Sequence, residues 1–337
     1  MISSDLRRAV RHAVAAAGFP PDTDPGLRPT GVPGQYAASV ALALGEHPGE
    51  TARGLAAALA RAPWIAEAEV TGPGYLTITV TAGALAAVAD RIAQAGPGCA
   101  ASDALAGMTV PAPPPGDPLA AATWEEARAA VAARLTARLA AAAGATVADH
   151  PDSERERATP PASRSSRQPG TGQAAACAEI AAAVAFAGRD AVIFALASAI
   201  PGRPVRVAPE VIARHVAGNR AYAVRYAHAR AASGVRWALA APEPAPRLPA
   251  EPGELALLDA LSWLPERVAV AARRGRPDEF ARYLEELAGV TLDELSSVRH
   301  PGTAAAPGSD RLTLATAART GLAAGLGLLE VSAPERL

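Results

Sequence analysis

Aromatic and basic side chains alternate at helical spacing within residues 219–230. On a helix, Tyr222, Tyr226 and Arg230 are four residues apart and therefore share one face, with Arg225 beside it. Unpaired bases of an RNA loop stack on such rings while arginine contacts phosphate or base edges, and each stacked base contributes about 1–3 kcal/mol. The spacing therefore predicts a helical face that contacts RNA.

Local charge agrees with this interpretation, although the chain as a whole is close to neutral. Residues 203–238 contain seven Arg and one acid, Glu210, whereas the net charge of all 337 residues is −1. Arg236 extends the basic series beyond the aromatic pair. Any affinity for a polyanion must then come from this local excess of arginine. The alternative is that the two tyrosines are ordinary core residues, because aromatic side chains at helical spacing usually pack inside.

The same segment resembles a motif of known proteins. In the anticodon-binding (DALR) domain of arginyl-tRNA synthetases, the opening motif runs roughly Asn-Pro-x-Tyr-Tyr-Val-Gln-Tyr-Ala-His-Ala-Arg. This chain matches that motif at Tyr222, Val224, Tyr226, Ala227, His228, Ala229 and Arg230. The likeness continues at residues 188–192 and 281–288. It closes at residues 325–337, where the ending Ser-Ala-Pro-Glu-Arg-Leu resembles the family's Ser-Ala-Pro-Glu-Arg-Met.

This resemblance implies an anticodon-binding site in the C-terminal region. In the family, the first and last of these motifs approach the anticodon loop, which implies that Tyr222, Tyr226 and the final residue, Leu337, lie near RNA bases. Two positions depart from the family pattern, since Ala223 replaces a second tyrosine and Arg225 replaces a glutamine. Stacking capacity is therefore reduced, while positive charge is added.

The first 98 residues are predicted to form a small α/β domain. Helical spacing covers residues 2–17, and a Gly-Pro-Gly turn leads into residues 76–81, where apolar residues alternate with threonine. That alternation predicts a half-buried strand, and a further helix is expected at residues 83–95.

This N-terminal region resembles the N-terminal domain of the same family, through Gly-Gln-Tyr-Ala-Ala-Ser from position 34 and Val-Thr-Gly-Pro-Gly-Tyr-Leu from position 70. In the family, the domain touches the elbow of the tRNA through a Gln and an Asn that follow the Tyr. Those positions are Ala37 and Ser39 here, so two amide side chains that can hydrogen-bond to base edges are missing. Gln35 and Tyr36 remain as the predicted RNA-binding residues of this domain.

A short middle segment, residues 108–147, predicts one strand and one helix and resembles the start of the family's Rossmann-type catalytic domain. A ligase of the family needs a His-x-Gly-His turn to hold the ATP phosphates and a Lys-Met-Ser-Lys loop to stabilise the transition state. Ala-Ala-Ala-Thr at 120–123 stands where the first signature is expected, and Arg-Ser-Ser-Arg at 164–167 is a faint likeness of the second. The sequence therefore predicts no aminoacylation.

Residues 149–172 are polar and rich in Ser, Pro and Arg, which predicts a flexible linker. Beyond the linker, residues 174–337 are predicted to form an all-α helical bundle, the anticodon-binding domain. Its expected helices are at 174–200, 207–239, 254–273, 277–289 and 310–329, with a Pro-rich loop at 241–252. The predicted fold class is thus an α/β N-terminal domain (1–98), a reduced α/β Rossmann remnant (108–147) and this all-α domain.

Three functions remain open on the sequence. The favoured function is that of a non-catalytic paralogue of arginyl-tRNA synthetase that binds a tRNA, such as an arginine tRNA. The alternatives are an arginine–tRNA ligase with diverged motifs and an interaction partner of a synthetase or a tRNA-using enzyme. No cofactor, metal or membrane partner is predicted, since Cys99 and Cys177 have no Cys or His neighbour at ligand spacing and no stretch approaches about 20 apolar residues. We expect a cytoplasmic protein.

Overall fold

The computed structural model describes residues 2–20, 23–148, 171–240, 252–296 and 309–337. Most of the predicted linker and of the predicted Pro-rich loop lies outside the described residues. The chain divides into two units: unit 1 comprises residues 1–96, 234–265 and 293–318, and unit 2 comprises residues 97–233, 266–292 and 319–337. The segment 174–337, which the sequence predicts as one domain, therefore contributes to both units.

Unit 1 contains an antiparallel sheet in the strand order β1-β2-β4-β3. The strands are β1 (Arg28–Pro29), β2 (Gln35–Ala38), β3 (Ile65–Thr71) and β4 (Tyr75–Val80). In β4, Leu76, Ile78 and Val80 are buried while the residues between them are more exposed, because successive side chains of a strand point to opposite faces. The strand predicted at 76–81 is thus confirmed, with bounds one residue earlier.

Three helices belong to the N-terminal region, and the second of them packs against β3 and β4. They are α1 (Ile2–Ala16), α2 (Pro48–Leu59) and α3 (Ala82–Ala95). Helix α1 buries Leu6, Val10 and Val14, which recur every four residues and so form one apolar stripe. Thr81 starts α3, since its hydroxyl accepts a hydrogen bond from the backbone N–H of Ala84 at 3.2 Å. The helices predicted at 2–17 and 83–95 are confirmed.

In unit 2, the middle segment forms two short parallel strands joined by a helix. Strand β5 (Thr109–Val110) pairs with β6 (Thr146–Val147), and α4 (Trp124–Ala142) connects them. Thr123 caps α4 by accepting a hydrogen bond from the N–H of Glu126 at 3.1 Å. The sequence predicts only one strand here, because a strand of two residues is too short to show an alternation.

The next helices are α5 (Thr171–Ala187), α6 (Arg189–Ala197), α7 (Pro209–Ile212) and α8 (Arg220–Leu239). The sequence predicts one unbroken helix at 174–200 and another at 207–239. Both predictions are wrong, because each segment is interrupted. Gly188 has a φ of 86°, a left-handed conformation that glycine adopts without steric cost, and it separates α5 from α6. The second predicted helix is interrupted between Ile212 and Arg220, where the chain forms a loop.

The C-terminal helices are α9 (Pro252–Ser262), α10 (Leu264–Arg274), α11 (Pro277–Ser296) and α12 (Ser309–Leu328). Within unit 1, α9 packs against α3. Within unit 2, α11 buries Phe280, Leu284 and Leu287, and α12 buries Leu322 and Leu326. The helical character predicted for the C-terminal region is confirmed, but the single helix predicted at 254–273 is divided into α9 and α10 at Trp263.

Among the described residues, no single helix combines the length and the apolar composition needed to cross a membrane. The neighbouring segments Ala178–Ala187 and Arg189–Ala197 reach that length and composition only when they are taken together, and they are bent by 113° at the break between them.

Candidate nucleic-acid interface

The candidate interface begins at Asn219, which fixes both the start of α8 and the loop before it. Its side-chain oxygen accepts a hydrogen bond from the backbone N–H of Tyr222 at 3.4 Å, as an N-cap residue does. Its side-chain nitrogen donates to the carbonyl oxygens of Ile212 at 2.6 Å and Arg214 at 2.7 Å. Asn219 is buried, so these bonds hold the loop that contains His215 against the first turn of the helix.

Three aromatic rings form a column on this part of unit 2. Tyr222 and Tyr226 stack with ring centroids 5.6 Å apart and an interplanar angle of 13°. The ring of His215 also stacks on that of Tyr222, with ring centroids 5.1 Å apart and an interplanar angle of 11°. The side chains at both ends are exposed, and Tyr226 exposes 41% of its surface. The alternative interpretation of the two tyrosines as core residues therefore fails for Tyr226 and holds only in part for the half-buried Tyr222.

The arginines around this column differ in what they contact. Arg225 is half-buried; its guanidinium donates to the hydroxyl of Ser332 at 3.3 Å and lies 3.6 Å from the carboxylate of Asp190. Arg220 lies 3.5 Å from the carboxylate of Glu285, and burial raises the pKa of that carboxyl. Arg225 and Arg220 thus have part of their charge balanced within the protein.

Other arginines of the basic region present their side chains to solvent. Arg203, Arg206 and Arg214 are exposed, and Arg236 is exposed near the end of α8. Arg230 is half-buried, one turn beyond Tyr226. The positive charge that can reach an RNA phosphate therefore lies mainly on the exposed arginines of residues 203–238.

The C-terminal segment is fixed to α8 and α12 by polar contacts within unit 2. Nδ1 of His228 lies 2.9 Å from the carbonyl oxygen of Pro334. The guanidinium of Arg319 lies 3.2 Å from the carboxylate of Glu335. Leu337 itself is 52% exposed, so the terminal side chain predicted to approach RNA is accessible.

The structure gives less support to the RNA contacts predicted for the N-terminal domain. Tyr36 is 0% exposed, its hydroxyl donates a hydrogen bond to the carboxylate of Asp259 at 2.6 Å, and its ring packs against Trp263 at 5.5 Å. A side chain sealed in the core cannot stack on a base, so the prediction for Tyr36 is wrong. Gln35 is half-buried, and its side-chain oxygen accepts a hydrogen bond from the hydroxyl of Thr30 at 3.0 Å.

A cavity of about 410 Å³ lies in unit 2 beside the start of α8. Its walls include the apolar side chains of Phe194, Ile200 and Val211, and Arg203 and Arg206 also line it. Val211, Ile212 and residues 218–221 also line it, so the cavity lies next to the loop and helix turn that carry the aromatic rings.

The structure adds His215 to the candidate site, and sequence reasoning missed it. His215 lies in an irregular loop, seven positions before Tyr222, so no helical or strand period connects the two residues. The side-chain hydrogen bonds of Asn219 help to hold the loop that places this imidazole on the ring of Tyr222. Gln35, Tyr36 and Arg236 belong to unit 1, whereas the ring column, Arg225, Arg230 and Leu337 belong to unit 2.

Part of this helical region is similar to a known family. Residues 224–337 match the model of the DALR anticodon binding domain. The match begins within α8 at Val224, so it includes Tyr226 but neither Tyr222 nor His215, and it extends to Leu337. Residues 224–337 are therefore similar in sequence to a DALR anticodon binding domain.

Part of the chain is similar in sequence to arginine–tRNA ligases, as the sequence motifs predicted. It is 38% identical over 143 residues to the arginine–tRNA ligase of Frankia alni and 35% identical over 167 residues to that of Micrococcus luteus. These matches use 38% and 46% of this chain, and they span only 25% and 30% of the length of the two relatives. Its fold is similar to that of Thermus thermophilus arginyl-tRNA synthetase, with a TM-score of 0.70 at 16% identity and coverage of 100% of both chains.

Proposed function

We propose that the protein binds a tRNA at its anticodon loop and does not aminoacylate it. The observation that carries this proposal is the column of His215, Tyr222 and Tyr226, whose two end residues are exposed. Bases of an RNA loop are unpaired and can stack on such rings, whereas rings that serve only the core would be covered. The cytoplasm, where tRNA is charged and used, is the location that this proposal requires.

The surrounding charge supports the same ligand. Residues 203–238 carry six more arginines than acids, and Arg203, Arg206 and Arg214 are exposed. Arginine that neutralises phosphate releases condensed counterions, so the affinity should fall as the salt concentration rises. Stacking would then select unpaired bases, and charge would supply much of the free energy of binding.

Catalysis would need chemical groups that the sequence does not supply. Ala-Ala-Ala-Thr at 120–123 offers no imidazole to ATP phosphate. Just before it, the carboxylate of Asp117 receives two hydrogen bonds from Arg189, at 2.9 and 3.0 Å, and these bonds lower the pKa of Asp117. The carboxylate of Asp117, which is close to this segment in sequence, is thus hydrogen-bonded within the protein itself.

We infer that β5, α4 and β6 are the remnant of a Rossmann-type domain. Parallel strands joined by a helix are the repeating unit of that fold, and nucleotides bind in the crevice where two such halves meet. Within the described residues, this parallel pair is a sheet of two strands. A single unit of this kind provides no crevice between halves.

The proposal is tested by titrating the full chain with a transcript of an arginine tRNA over a salt series. We expect binding at low salt, and the logarithm of the association constant should fall linearly with the logarithm of the salt concentration. A blunt RNA duplex of the same length is the control, because it offers the same phosphates without unpaired bases, and it should bind more weakly. Absence of tRNA binding at low salt would refute the proposal, and equal affinity for the duplex would remove the role of stacking.

Arginine–tRNA ligase activity is the second candidate, because the curated relatives carry that name. It predicts arginine-dependent exchange of pyrophosphate into ATP by the purified protein. Our proposal predicts no exchange above that of a sample without arginine. Measurable exchange would overturn the non-catalytic assignment and leave tRNA binding in place.

A further inference from the structure

The cavity beside the start of α8 is lined by residues other than the stacked rings. All of its lining residues lie between Ala191 and Ala221, in α6, in α7, in the loops on either side of α7 and in the first turn of α8. His215, Tyr222 and Tyr226 do not line it. Its volume of about 410 Å³ is within the range of roughly 300–1,000 Å³ in which proteins bind small molecules. The cavity is therefore a candidate binding site separate from the ring column.

Much of the cavity wall is apolar. Phe194 in this wall is buried, whereas Ile200 and Val211 are 45% and 48% exposed. Apolar surface that is removed from water contributes about 25 cal/mol per Å², before the cost of ordering the ligand. Ile200 and Val211 keep such surface in contact with water, so an apolar group that entered the cavity would gain free energy by covering it.

Two arginines in the cavity wall have no partner within the described residues. Arg203 and Arg206 are exposed, and their guanidinium groups form no hydrogen bond or ion pair there, although the acids Glu125 and Glu210 lie in neighbouring segments. The wall also contains the buried hydroxyl of Ser198, which has no hydrogen-bond partner in the described part of the chain. All three groups can donate hydrogen bonds, and a guanidinium binds a carboxylate through two parallel bonds. The polar part of a matching ligand is therefore an anion, and a carboxylate suits it.

The loop that carries these arginines is held in place by the protein itself. Pro201, Pro204 and Pro209 restrict the backbone within and after it, because the proline ring fixes φ near about −65°. The backbone N–H of Val205, between the two arginines, donates a hydrogen bond to the carboxylate of Glu125 in α4 at 3.2 Å. A loop that is already ordered loses less conformational entropy when a ligand binds, which favours affinity.

From the apolar wall, the two arginines without partners and the ordered loop, we infer that this cavity binds a small amphipathic anion, a molecule with an apolar body and a carboxylate at one end. The apolar body covers Phe194, Ile200 and Val211, and the carboxylate accepts hydrogen bonds from Arg203 or Arg206. A free phosphate or a neutral apolar molecule would satisfy only one half of the wall. This inference goes beyond the proposed function, and its test needs no RNA.

Octanoate, octylammonium and acetate are matched probes for the full chain, used at concentrations at which octanoate forms no micelles. Octanoate carries both features, octylammonium has the same apolar chain with the opposite charge, and acetate has the carboxylate without the chain. We expect octanoate to bind about tenfold or more tightly than either of the others, as followed by the methyl NMR shifts of Ile200, Val211 and Ile212. A smaller preference, or no shift of these methyl groups with octanoate, would overturn the inference.

A matched pair of substitutions shows whether octanoate occupies this cavity. Val211 and Val32 are 48% and 55% exposed, and of the two only Val211 lines the cavity. Val211→Glu places a carboxylate in the wall, where it competes for the arginines and repels the probe, so we expect about tenfold weaker binding of octanoate. Val32→Glu should leave the affinity unchanged. Equal effects of the two substitutions would show that octanoate binds elsewhere and would overturn the inference.

Removal of both arginines tests the anionic half of the ligand. Arg203→Gln combined with Arg206→Gln removes the two charges and keeps polar side chains, and we expect octanoate to bind about tenfold more weakly. Arg61→Gln, at an exposed arginine of the N-terminal region, is the control and should have no effect. An unchanged affinity of the double variant for octanoate would overturn the inference.

Discussion

Nδ1 of His228 donates a hydrogen bond to the carbonyl oxygen of Pro334, 106 residues further along the chain, at 2.9 Å. A carbonyl oxygen only accepts hydrogen bonds, so Nδ1 carries a proton in this contact. Burial lowers the pKa of His228 below its ordinary value of 6.5, which leaves the imidazole neutral at pH 7. The helix that carries the stacked tyrosines and the C-terminal segment are therefore joined through a neutral ring.

The stability of the protein should fall with decreasing pH because of His228. Its pKa is depressed in the folded state, so the unfolded chain binds a proton more readily than the folded chain. The stabilisation is complete above the unfolded pKa and is lost as the pH falls through the folded one. We expect His228→Asn, whose side-chain nitrogen can replace Nδ1 but does not titrate, to lose less stability between about pH 7.5 and about pH 5. Urea unfolding at the two pH values measures this, and equal losses in both proteins would contradict it.

Asn219 should contribute to stability through both ends of its amide. Asn219→Ala removes the helix cap and the two bonds to loop carbonyls, and we expect it to lower the free energy of unfolding by about 2–3 kcal/mol. Asn219→Ser keeps a capping oxygen and loses the amide donors without placing a charge against the carbonyl oxygens, so its loss should be about half as large. Denaturant titration of the three proteins gives the order. A stability of the Ser variant equal to that of the Ala variant would show that the cap contributes little.

Removal of an end ring from the column should weaken RNA binding without unfolding the protein. Tyr226→Ala and His215→Ala each remove an exposed ring, and we expect a loss of about 1–3 kcal/mol, or roughly fivefold to a hundredfold, in affinity for an anticodon stem-loop. Tyr75→Ala is the matched control, because Tyr75 is 44% exposed, similar to Tyr226 at 41%, and lies on β4 in the N-terminal region. Fluorescence anisotropy with labelled RNA measures the change. Equal effects at Tyr75 and Tyr226 would argue against a specific stacking site.

The break between α5 and α6 should depend on the backbone of Gly188. Its φ of 86° disfavours any residue with a Cβ, although nothing lies within 4 Å of the position that a Cβ would take. We expect Gly188→Ala to destabilise the protein by about 1 kcal/mol through backbone strain alone. Gly54→Ala, in the interior of α2 and also with open space around it, should instead stabilise by about 0.5–1 kcal/mol. Thermal unfolding distinguishes the two signs, and destabilisation by both would point to a cause other than φ.

The sequence predicted those features that depend on a local period. The alternation in β4 and the four-residue spacing of Leu6, Val10 and Val14 in α1 each express a single repeating geometry, and the structure contains both elements. The same logic placed Tyr222 and Tyr226 on one face of a helix, where they stack. Periodicity did not decide whether that face is buried, because the pattern of a core stripe and that of an exposed aromatic stripe are alike.

Features that depend on distant contacts could not be predicted in this way. Tyr36 resembles a residue of an RNA-binding surface in its sequence context, and its burial comes from Asp259, 223 positions away. His215 joins the column only through the loop that Asn219 holds. Strand β6 exists because it pairs with β5 across α4, and neither two-residue strand carries a signal of its own. In each case a partner remote in sequence determines the environment of the residue.

The packing of α9 against the N-terminal region affects how the protein can be shortened for study. A fragment without residues 2–96 would lose the hydroxyl of Tyr36 and the backbone N–H of Gly34, which both donate to the carboxylate of Asp259. That carboxylate, together with the apolar side of α9 that packs on α3, would then face water. Such newly exposed apolar surface promotes self-association. We therefore expect the isolated C-terminal region to aggregate. In RNA titrations with such a fragment, the signal from aggregation could not be distinguished from RNA binding.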